Sequence, residues 1–267
     1  KMKIDEIFSV KNKVAVVTGG SRGIGEMIAS AYLANGATVY ITSRKADICD
    51  AKAIELSEKY NAQCTSLPCD LSSLEGIEKF VNEVEALESG IDILVNNAGA
   101  AWAEPIDIFS EKGWDKVMDL NVKSVFFSTQ KFLPLLKKNA SRENPSRVIN
   151  IGSIDGIGTP VFETYPYSAS KASVHHMTRV LAARLVKENI LVNAIAPGPF
   201  PSDMLGAAVE HNYEGIISRN PVHRMGRAED VGGLALYLSS KAGSYTVGET
   251  ITCDGGTISA TGHDLSE

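Results

Sequence analysis

Tyr167 and Lys171 are the residues whose types and spacing point most directly to chemistry. The run 167–171 reads Tyr-Ser-Ala-Ser-Lys at the start of a predicted helix, and a separation of four residues places both side chains on one face. A free tyrosine has a pKa near ~10, and a neighbouring ammonium group favours the phenolate. We therefore expect Lys171 to bring the pKa of Tyr167 toward neutral pH, where the phenol can exchange a proton with a substrate. By itself, such a pair could also be a chance arrangement on a solvated helix.

A glycine-rich run follows the first predicted strand and opens a helix. Residues 18–25 read Thr-Gly-Gly-Ser-Arg-Gly-Ile-Gly. Glycines let the backbone turn sharply and approach a pyrophosphate, and the N-terminus of the helix presents free N–H groups to it. The strand–turn–helix setting favours a dinucleotide site over a turn without a ligand. The cofactor contacts expected here are Gly19, Ser21, Arg22, Gly23, Ile24 and Gly25.

The end of the second predicted strand indicates which dinucleotide is bound. An NAD-selective site usually places an acidic residue there, and its carboxylate would repel a 2′-phosphate. Here residues 40–45 read Tyr-Ile-Thr-Ser-Arg-Lys, with no acid before Asp47. Arg44 and Ser43, together with Arg22, could hold the phosphate, although basic loop residues also often face solvent. The sequence therefore favours NADP(H).

Three other polar groups come near the ends of predicted strands or inside a helix. Ser153 ends the fifth strand, where it could hold a substrate oxygen against Tyr167 or could simply cap a helix. The run Asn-Asn-Ala-Gly occupies residues 96–99, after the fourth strand. Asn121 lies within a predicted helix, where a poor helix former needs a reason, and exposure alone would be sufficient.

Short β-branched runs alternate along the chain with longer segments of helical period. Strands are predicted at Val14–Val17, Thr38–Ile41, Gln63–Leu67, Ile91–Val95, Val148–Ile151, Leu191–Ile195 and Thr250–Thr252. Helices are predicted at Gly23–Asn35, Asp47–Tyr60, Leu74–Glu88, Trp114–Lys138, Tyr167–Glu188 and Glu229–Ser239. This alternation predicts a single α/β domain over residues 1–267, with a doubly wound parallel sheet covered by helices on both faces. The weakly periodic segment Gly198–Arg227 is predicted to be a substrate lid.

Composition narrows the class of protein further. The formal net charge of −6 argues against general binding to nucleic acid or to an anionic membrane, but not against a local basic pocket. No apolar run approaches the ~20 residues that span a bilayer, and no signal peptide is recognisable, so we expect a cytoplasmic protein. Cys64 and Cys69 lack zinc-site spacing and neighbouring histidines, and we expect no metal.

With these motifs in order and at matching spacing, the chain resembles the short-chain dehydrogenase/reductase family from about Asn12 to Gly256. The motifs are TGxxxGxG, NNAG, YxxxK and Pro197-Gly198. The resemblance implies a seven-stranded Rossmann-type sheet, a homotetramer and a catalytic tetrad. The tetrad would be Asn121, Ser153, Tyr167 and Lys171.

The resemblance also implies a role for each of these residues. Tyr167 would be the general acid in reduction, Ser153 would orient and polarise the carbonyl, and Lys171 would also hold the nicotinamide ribose. Asn121 would support a water relay to Lys171. Ser202 stands where many relatives have threonine, but the hydroxyl is kept. Besides the positions already given, the implied cofactor contacts are Asp70, Leu71, Asn97, Ala98, Gly99, Pro197, Gly198, Phe200 and Ser202.

Within the family, residues 144–153 and 196–202 are most similar to 3-oxoacyl-(acyl carrier protein) reductases, including those tied to rhamnolipid synthesis. We therefore expect an NADPH-dependent reductase of a ketone or 3-oxoacyl carbonyl, with an acyl thioester as one candidate substrate. Apolar residues of the lid and of the Ala100–Trp102 loop favour an apolar pocket. The lid residues are Phe200, Pro201, Met204, Leu205 and Met225. A sugar, polyol or other secondary-alcohol dehydrogenase and a non-catalytic NADP(H) sensor remain as alternatives, although a sensor would not need Tyr167 and Lys171.

Trp102 and two histidines fit simpler interpretations. Trp102 could line the mouth of the substrate site or could pack against the fold. His175 and His176 lie about one helical turn past Lys171 and are predicted to pack or to face solvent, since no metal cluster surrounds them.

Overall fold

Seven short runs of mainly aliphatic residues pair as one parallel sheet in this protein, whose computed structural model describes residues 2–160, 162–202 and 213–260. The strand order is β3-β2-β1-β4-β5-β6-β7. The central strands β4, β5 and β6 are buried along their whole length, as expected when helices cover both faces. The strands are β1 Val14–Thr18, β2 Thr38–Thr42, β3 Cys64–Ser66, β4 Ile93–Asn96, β5 Ser146–Ile151, β6 Ile190–Pro197 and β7 Thr250–Cys253.

Helices pack on both faces of this sheet. In β1, Ala15 and Val17 join the core beneath α2, α3 and α8, whereas Val16 joins the core beneath α4, α6 and α7. This division follows from the two-residue period of a strand. Within the described ranges, no helix is both long and apolar enough to cross a membrane. The helices are α1 Ile4–Ile7, α2 Gly23–Ala34, α3 Ala46–Tyr60, α4 Leu74–Leu87, α5 Glu111–Met118, α6 Ser124–Asn139, α7 Tyr165–Leu185 and α8 Ala228–Ser239.

The strand order reverses between β1 and β4, which opens a crevice at the carboxyl ends of these strands. Side chains lock the two strand ends together. The Oγ1 of Thr18 accepts hydrogen bonds from the backbone N–H groups of Asn97 and Ala98, both at 2.9 Å. The Nδ2 of Asn97 donates to the backbone oxygens of Thr18 at 2.9 Å and of Gly19 at 3.1 Å. The glycine-rich run and the Asn-Asn-Ala-Gly run therefore form one edge.

The predicted doubly wound α/β sheet is confirmed, and each predicted strand and helix has a counterpart. The main difference concerns the helix predicted at Trp114–Lys138. It begins at Glu111, because the Ser110 hydroxyl caps it by accepting from Gly113 N at 3.2 Å. A π-helical turn at Asp119–Lys123 then separates α5 from α6. Such turns are rare and frequently occur at functional sites.

The predicted lid is described only in part. Residues 198–202 follow β6, and residues 213–227 lead into α8, with a helical turn at 213–217. Met204 and Leu205 lie outside the described residues. The lid therefore remains a prediction.

Candidate active site

One face of α7 carries the two side chains for which the sequence predicts proton chemistry. Pro166 occupies the first turn of α7, where a missing N–H costs little. The Nζ of Lys171 lies 5.5 Å from the centroid of the Tyr167 ring. It donates a hydrogen bond of 2.8 Å to the backbone oxygen of Ile151 at the end of β5. The buried ammonium group is thus held between the sheet and the phenol.

Ser153 lies beside this pair because β5 ends two residues before it. Its side chain lies beside the Tyr167 phenol and lowers the pKa of that group. Its Oγ also accepts from the backbone N–H of Asp155 at 3.1 Å, which caps a short 3-10 turn. Ser153 is 7% exposed. The structure therefore brings Ser153, Tyr167 and Lys171 together, as the sequence predicts.

Asn121 sits in the π-helical turn and connects two parts of the site. Its Oδ1 accepts from Ala100 N at 2.8 Å, and its Nδ2 donates to Ala100 O at 3.0 Å and to the Ser170 Oγ at 2.9 Å. A Cβ on Gly99 would lie 3.2 Å from the Asn121 Oδ1 and 3.7 Å from the Lys171 Nζ. The side chain of Asn121 therefore joins the loop after β4 to α7, and the water relay to Lys171 stays a prediction.

Burial dominates the acid–base properties of the Tyr167–Lys171 pair. It raises the pKa of Tyr167 to about 12; the neighbouring Ser153 hydroxyl opposes this rise, and the charge of Asp155 adds to it. Burial also lowers the pKa of Lys171 to about 8, with Asp155 acting in the opposite direction. Our expectation that Lys171 brings the Tyr167 pKa toward neutral is therefore wrong for the protein alone, because a low-dielectric site disfavours both charges. Tyr167 is a neutral phenol, which is the form that can donate a proton.

The glycine-rich loop has the shape that a pyrophosphate site needs. Gly19 and Gly23 have φ angles of 65° and 55°, which disfavour other residues. A Cβ on Gly25 would lie 2.3 Å from the Gly19 carbonyl oxygen, so α2 can pack against the turn only with glycine there. Ser21 is buried, and Ile24 packs partly into the core. The start of α2 is thereby fixed at the carboxyl edge of β1.

The residues predicted to select the cofactor flank this loop. The backbone N–H of Gly19 donates to Thr42 O at 2.8 Å, which joins the loop to the end of β2. Ser43 is half-buried and Arg44 is exposed immediately beyond. Arg22 is exposed at the N-cap of α2. The three residues thus lie at one end of the crevice.

Two predicted contacts have side chains turned into the core. Leu71 is 4% exposed, and Phe200 is 3% exposed with its ring against Gly226. Only the backbone of each can therefore reach a cofactor. Asp70 is exposed, and its Oδ1 accepts from Ser72 N at 3.0 Å.

The chain after β6 returns to the glycine-rich loop. Pro197 ends β6, and a Cβ on Gly198 would lie 2.8 Å from the Asp254 Cα, so this turn packs tightly against the end of β7. A Cβ on Gly23 would lie 3.4 Å from the Ser202 Cβ. Ser202 is therefore next to the start of α2, and its contact with the nicotinamide stays a prediction.

Sequence reasoning missed a buried polar ladder behind the site. Asn96 and Asn150 are paired neighbours on β4 and β5, and the Nδ2 of Asn96 donates to the Asn150 Oδ1 at 2.9 Å. The same Nδ2 donates to Thr129 on α6, and Asn150 donates to Thr178 on α7. Asparagine in an otherwise aliphatic strand was the available signal. The ladder ties the site strands to the helices on one face.

The Trp102 ring packs against α5 and does not stand free at the mouth of the substrate site. A Cβ on Gly113 would lie 2.4 Å from its ring, and the Lys116 Nζ lies 4.6 Å from the ring centroid. The Ser110 backbone N–H, which donates to Glu104 at 2.7 Å, lowers the pKa of that carboxyl most, and the Trp102 side chain lowers it further. The loop after β4 is therefore held against α5.

The fold and the site together define a Rossmann-type, dinucleotide-dependent oxidoreductase. A family model described as enoyl-(acyl carrier protein) reductase matches residues 19–257. The rhamnolipid-biosynthesis 3-oxoacyl-[acyl-carrier-protein] reductase of Pseudomonas aeruginosa is 45% identical over 251 residues, which cover 93% of this chain and 97% of that protein. A short-chain dehydrogenase/reductase of Diaporthe leptostromiformis is 36% identical over 280 residues, which cover 96% of this chain and 94% of that protein.

A solved structure agrees with these relatives. An active-site complex of Pseudomonas aeruginosa RhlG with NADP aligns with a TM-score of 0.91 at 45% identity, covering 94% of this chain and 98% of that one. The chain therefore belongs to the short-chain dehydrogenase/reductase family. The predictions of family, fold and oxidoreductase class are confirmed.

Proposed function

We propose that this chain, an NADP(H)-dependent oxidoreductase, reduces the ketone of a substrate with an apolar chain, such as a 3-oxoacyl ester or thioester. The observation that carries the proposal is that Ser153 lies beside the half-buried, neutral phenol of Tyr167 and interacts with it. A carbonyl oxygen placed between these two hydroxyls would accept a hydrogen bond from each. That arrangement polarises the carbonyl and provides the proton that the product alcohol needs.

The described residues fit the cofactor. NADPH, when bound, supplies the hydride. The glycine loop, with positive φ angles at Gly19 and Gly23, suits the pyrophosphate. No acidic residue occupies positions 40–46 at the end of β2, so a 2′-phosphate could lie near Arg44 and Arg22 without repulsion from a carboxylate there. Asp70, Leu71, Ser43 and residues 97–99 would surround the adenosine, and Ser202, with residues 197, 198 and 200, would lie near the nicotinamide. The family resemblance supports these roles.

Lys171 and Asn121 support the role of Tyr167 as proton donor. Lys171 would hold the nicotinamide ribose and keep positive charge near the phenol, so that a phenolate formed by proton donation is stabilised. Its hydrogen bond to Ile151 fixes the ammonium group on the sheet side of Tyr167. Asn121 keeps the loop after β4 against Ser170 of the same helix. Re-protonation of Tyr167 through Lys171 then completes the cycle.

An apolar rim supports the choice of an apolar substrate. Loops that follow β4 and β5 at the carboxyl edge expose Ile106, Ile108 and Ile157 at 65%, 72% and 49%. Phe162, 51% exposed, lies five residues before Tyr167, and the Ile106 N–H donates to the Glu163 carboxylate next to it. Large exposed aliphatic groups beside a polar centre suit an acyl chain and offer few partners to a polyol.

A substrate panel tests this assignment. We expect NADPH oxidation with medium-chain 3-oxoesters to have a kcat/KM well above that with free sugars, and to rise with chain length. Substitution of the rim by Ile106→Ser and Ile108→Ser should reduce the chain-length effect and leave the NADPH KM unchanged. Faster turnover of a sugar than of any 3-oxoester would overturn the assignment and favour the sugar dehydrogenase alternative.

Two tyrosines in the first turn of α7, Tyr165 and Tyr167, provide a matched test of the proposed acid. Tyr167→Phe keeps the ring and removes the proton carrier, so we expect kcat to fall by ~10²- to 10⁴-fold with NADPH binding retained. Tyr165→Phe removes a hydroxyl that donates to Glu163 at the surface and should leave kcat unchanged. A Tyr167→Phe enzyme with more than about a tenth of the wild-type kcat would exclude Tyr167 as the acid and would also support the non-catalytic sensor.

The proposed assembly is a homotetramer. Exposed apolar residues on three helices support it. Trp114 on α5, Phe126 on α6 and Val180 on α7 are 43%, 39% and 58% exposed. Their buried neighbours, which include Val125 and Val174, face the interior of the chain itself. These helices therefore have apolar groups left for a second copy.

A further inference from the structure

The two adjacent histidines of α7 have very different surroundings. His176 is exposed. His175 is 6% exposed and lies four residues beyond Lys171, so Tyr167, Lys171 and His175 form one stripe at i, i+4 and i+8. The first two are catalytic residues in the proposed function. The proposed function assigns no step to His175.

His175 contacts the turn that carries Ser153. Its Nε2 accepts a hydrogen bond of 3.4 Å from the Ser153 backbone N–H. A Cβ on Gly152 would lie 2.0 Å from this Nε2, and a Cβ on Gly156 would lie 2.9 Å from the Cε1. The backbone on both sides of Ser153 therefore wraps closely around the imidazole, with glycine at each point of contact.

The surroundings keep this imidazole neutral. Burial lowers the pKa of His175 to about 4, the positive charges of Lys171 and Arg179 lower it further, and a hydrogen bond with the Gly156 backbone acts in the opposite direction. A neutral ring that accepts at Nε2 carries its proton on Nδ1. At physiological pH His175 is therefore a fixed acceptor for Ser153 and not a proton carrier.

We propose that His175 is a positioning residue that fixes the Ser153 turn to the helix carrying Tyr167 and Lys171. Its imidazole holds the backbone at Ser153 and touches Gly152 and Gly156 on either side. The distance between the two hydroxyls that would bind the substrate oxygen is thus set by contacts from a single helix. The inference rests on the proposed role of Ser153.

The test compares His175→Gln, His175→Leu and the control His176→Leu. The Gln amide oxygen can replace Nε2 as acceptor, whereas Leu leaves the Ser153 N–H without its partner. Because a misplacement of ~1 Å can cost ~10²-fold in rate, we expect His175→Leu to lower kcat by about ten- to a hundredfold. The Kd for NADPH should stay within about twofold. His175→Gln should recover to within about threefold of wild type, and His176→Leu should match wild type.

A second set of variants approaches the same contact from the loop. Gly152→Ala pushes against the imidazole and should lower kcat, and this loss should disappear in the background of His175→Ala, where the ring is gone. This cycle keeps the proposal testable if His175→Leu fails to fold. A wild-type kcat in His175→Leu, equal losses in the Leu and Gln variants, or additive losses in the cycle would each overturn the proposal.

Ser153→Ala separates this inference from the proposed function. If Ser153→Ala loses activity while His175→Leu does not, only the positioning role of His175 fails. If Ser153→Ala keeps full activity, the proposed role of Ser153 fails first, and the positioning role of His175 fails with it.

Discussion

Arg44→Asp should change the cofactor preference of this enzyme. The loop joining β1 to α2 is tied to the end of β2 by the hydrogen bond from Gly19 to Thr42, and Arg44 is exposed two residues further along. A 2′-phosphate on a cofactor lying over the glycine loop would therefore be within reach of the guanidinium group. Aspartate at this position would instead accept from the 2′-hydroxyl of NADH.

The size of the change in cofactor preference follows from two free energies, the hydrogen bond that Arg44 would lose and the repulsion that aspartate would add. Because Arg44 is exposed, its hydrogen bond to the phosphate should be at the low end of the charge-assisted range, about 1.5 kcal/mol. A carboxylate about 5 Å from a phosphate with nearly two charges adds about 1.5 kcal/mol of repulsion in water. The sum of about 3 kcal/mol corresponds to a change on the order of 10²-fold in the NADPH-to-NADH ratio of kcat/KM.

Steady-state kinetics with both cofactors measure this ratio. Arg142→Asp is the control, because it makes the same change of charge at an exposed position before β5, at the opposite edge of the sheet. It should leave the ratio within about twofold of wild type, and Arg44→Asp should keep its kcat at saturating cofactor. A change of less than about threefold in Arg44→Asp would refute the role of Arg44, as would an equal effect of Arg142→Asp.

Three further predictions follow from the structure. Burial raises the pKa of Tyr167 to about 12 and lowers that of Lys171 to about 8, so kcat for ketone reduction should stay level from about pH 6 to 7 and fall at higher pH as Lys171 loses its charge. The kcat for alcohol oxidation, which needs the phenolate, should rise with pH; a pH-independent oxidation rate would contradict this. Ser73 caps α4 by accepting from Gly76 N at 3.1 Å, so Ser73→Ala should lower the free energy of unfolding by about 1 kcal/mol in urea titrations, and Ser73→Asp should not. Light scattering should give a mass of about four chains at micromolar concentration, and Trp114→Glu with Phe126→Glu should reduce it; a wild-type monomer would exclude the tetramer.

The sequence was sufficient for the architecture because its signals are local. Alternating β-branched and helical segments predict each strand and helix, and glycine directly after β1 predicts the turn. The helical spacing of Tyr167 and Lys171 likewise predicts a shared face. The π-helical turn at Asp119–Lys123 could not be read in this way, because helical periodicity does not distinguish a single wide turn inside a long helix.

Protonation and long-range contacts were decided only by the tertiary structure. The spacing of Tyr167 and Lys171 predicts a lowered tyrosine pKa, but the desolvation that raises it depends on how the whole chain surrounds the pair. Leu71 and Phe200 fit the expected motif positions, yet packing turns both side chains into the core. The sequence by itself thus determined which elements form and which residues reach the carboxyl edge of the sheet, since period and spacing are properties of neighbours along the chain. The dielectric around each group, and the contact of His175 with Ser153 from 22 residues away, exist only once distant segments pack together.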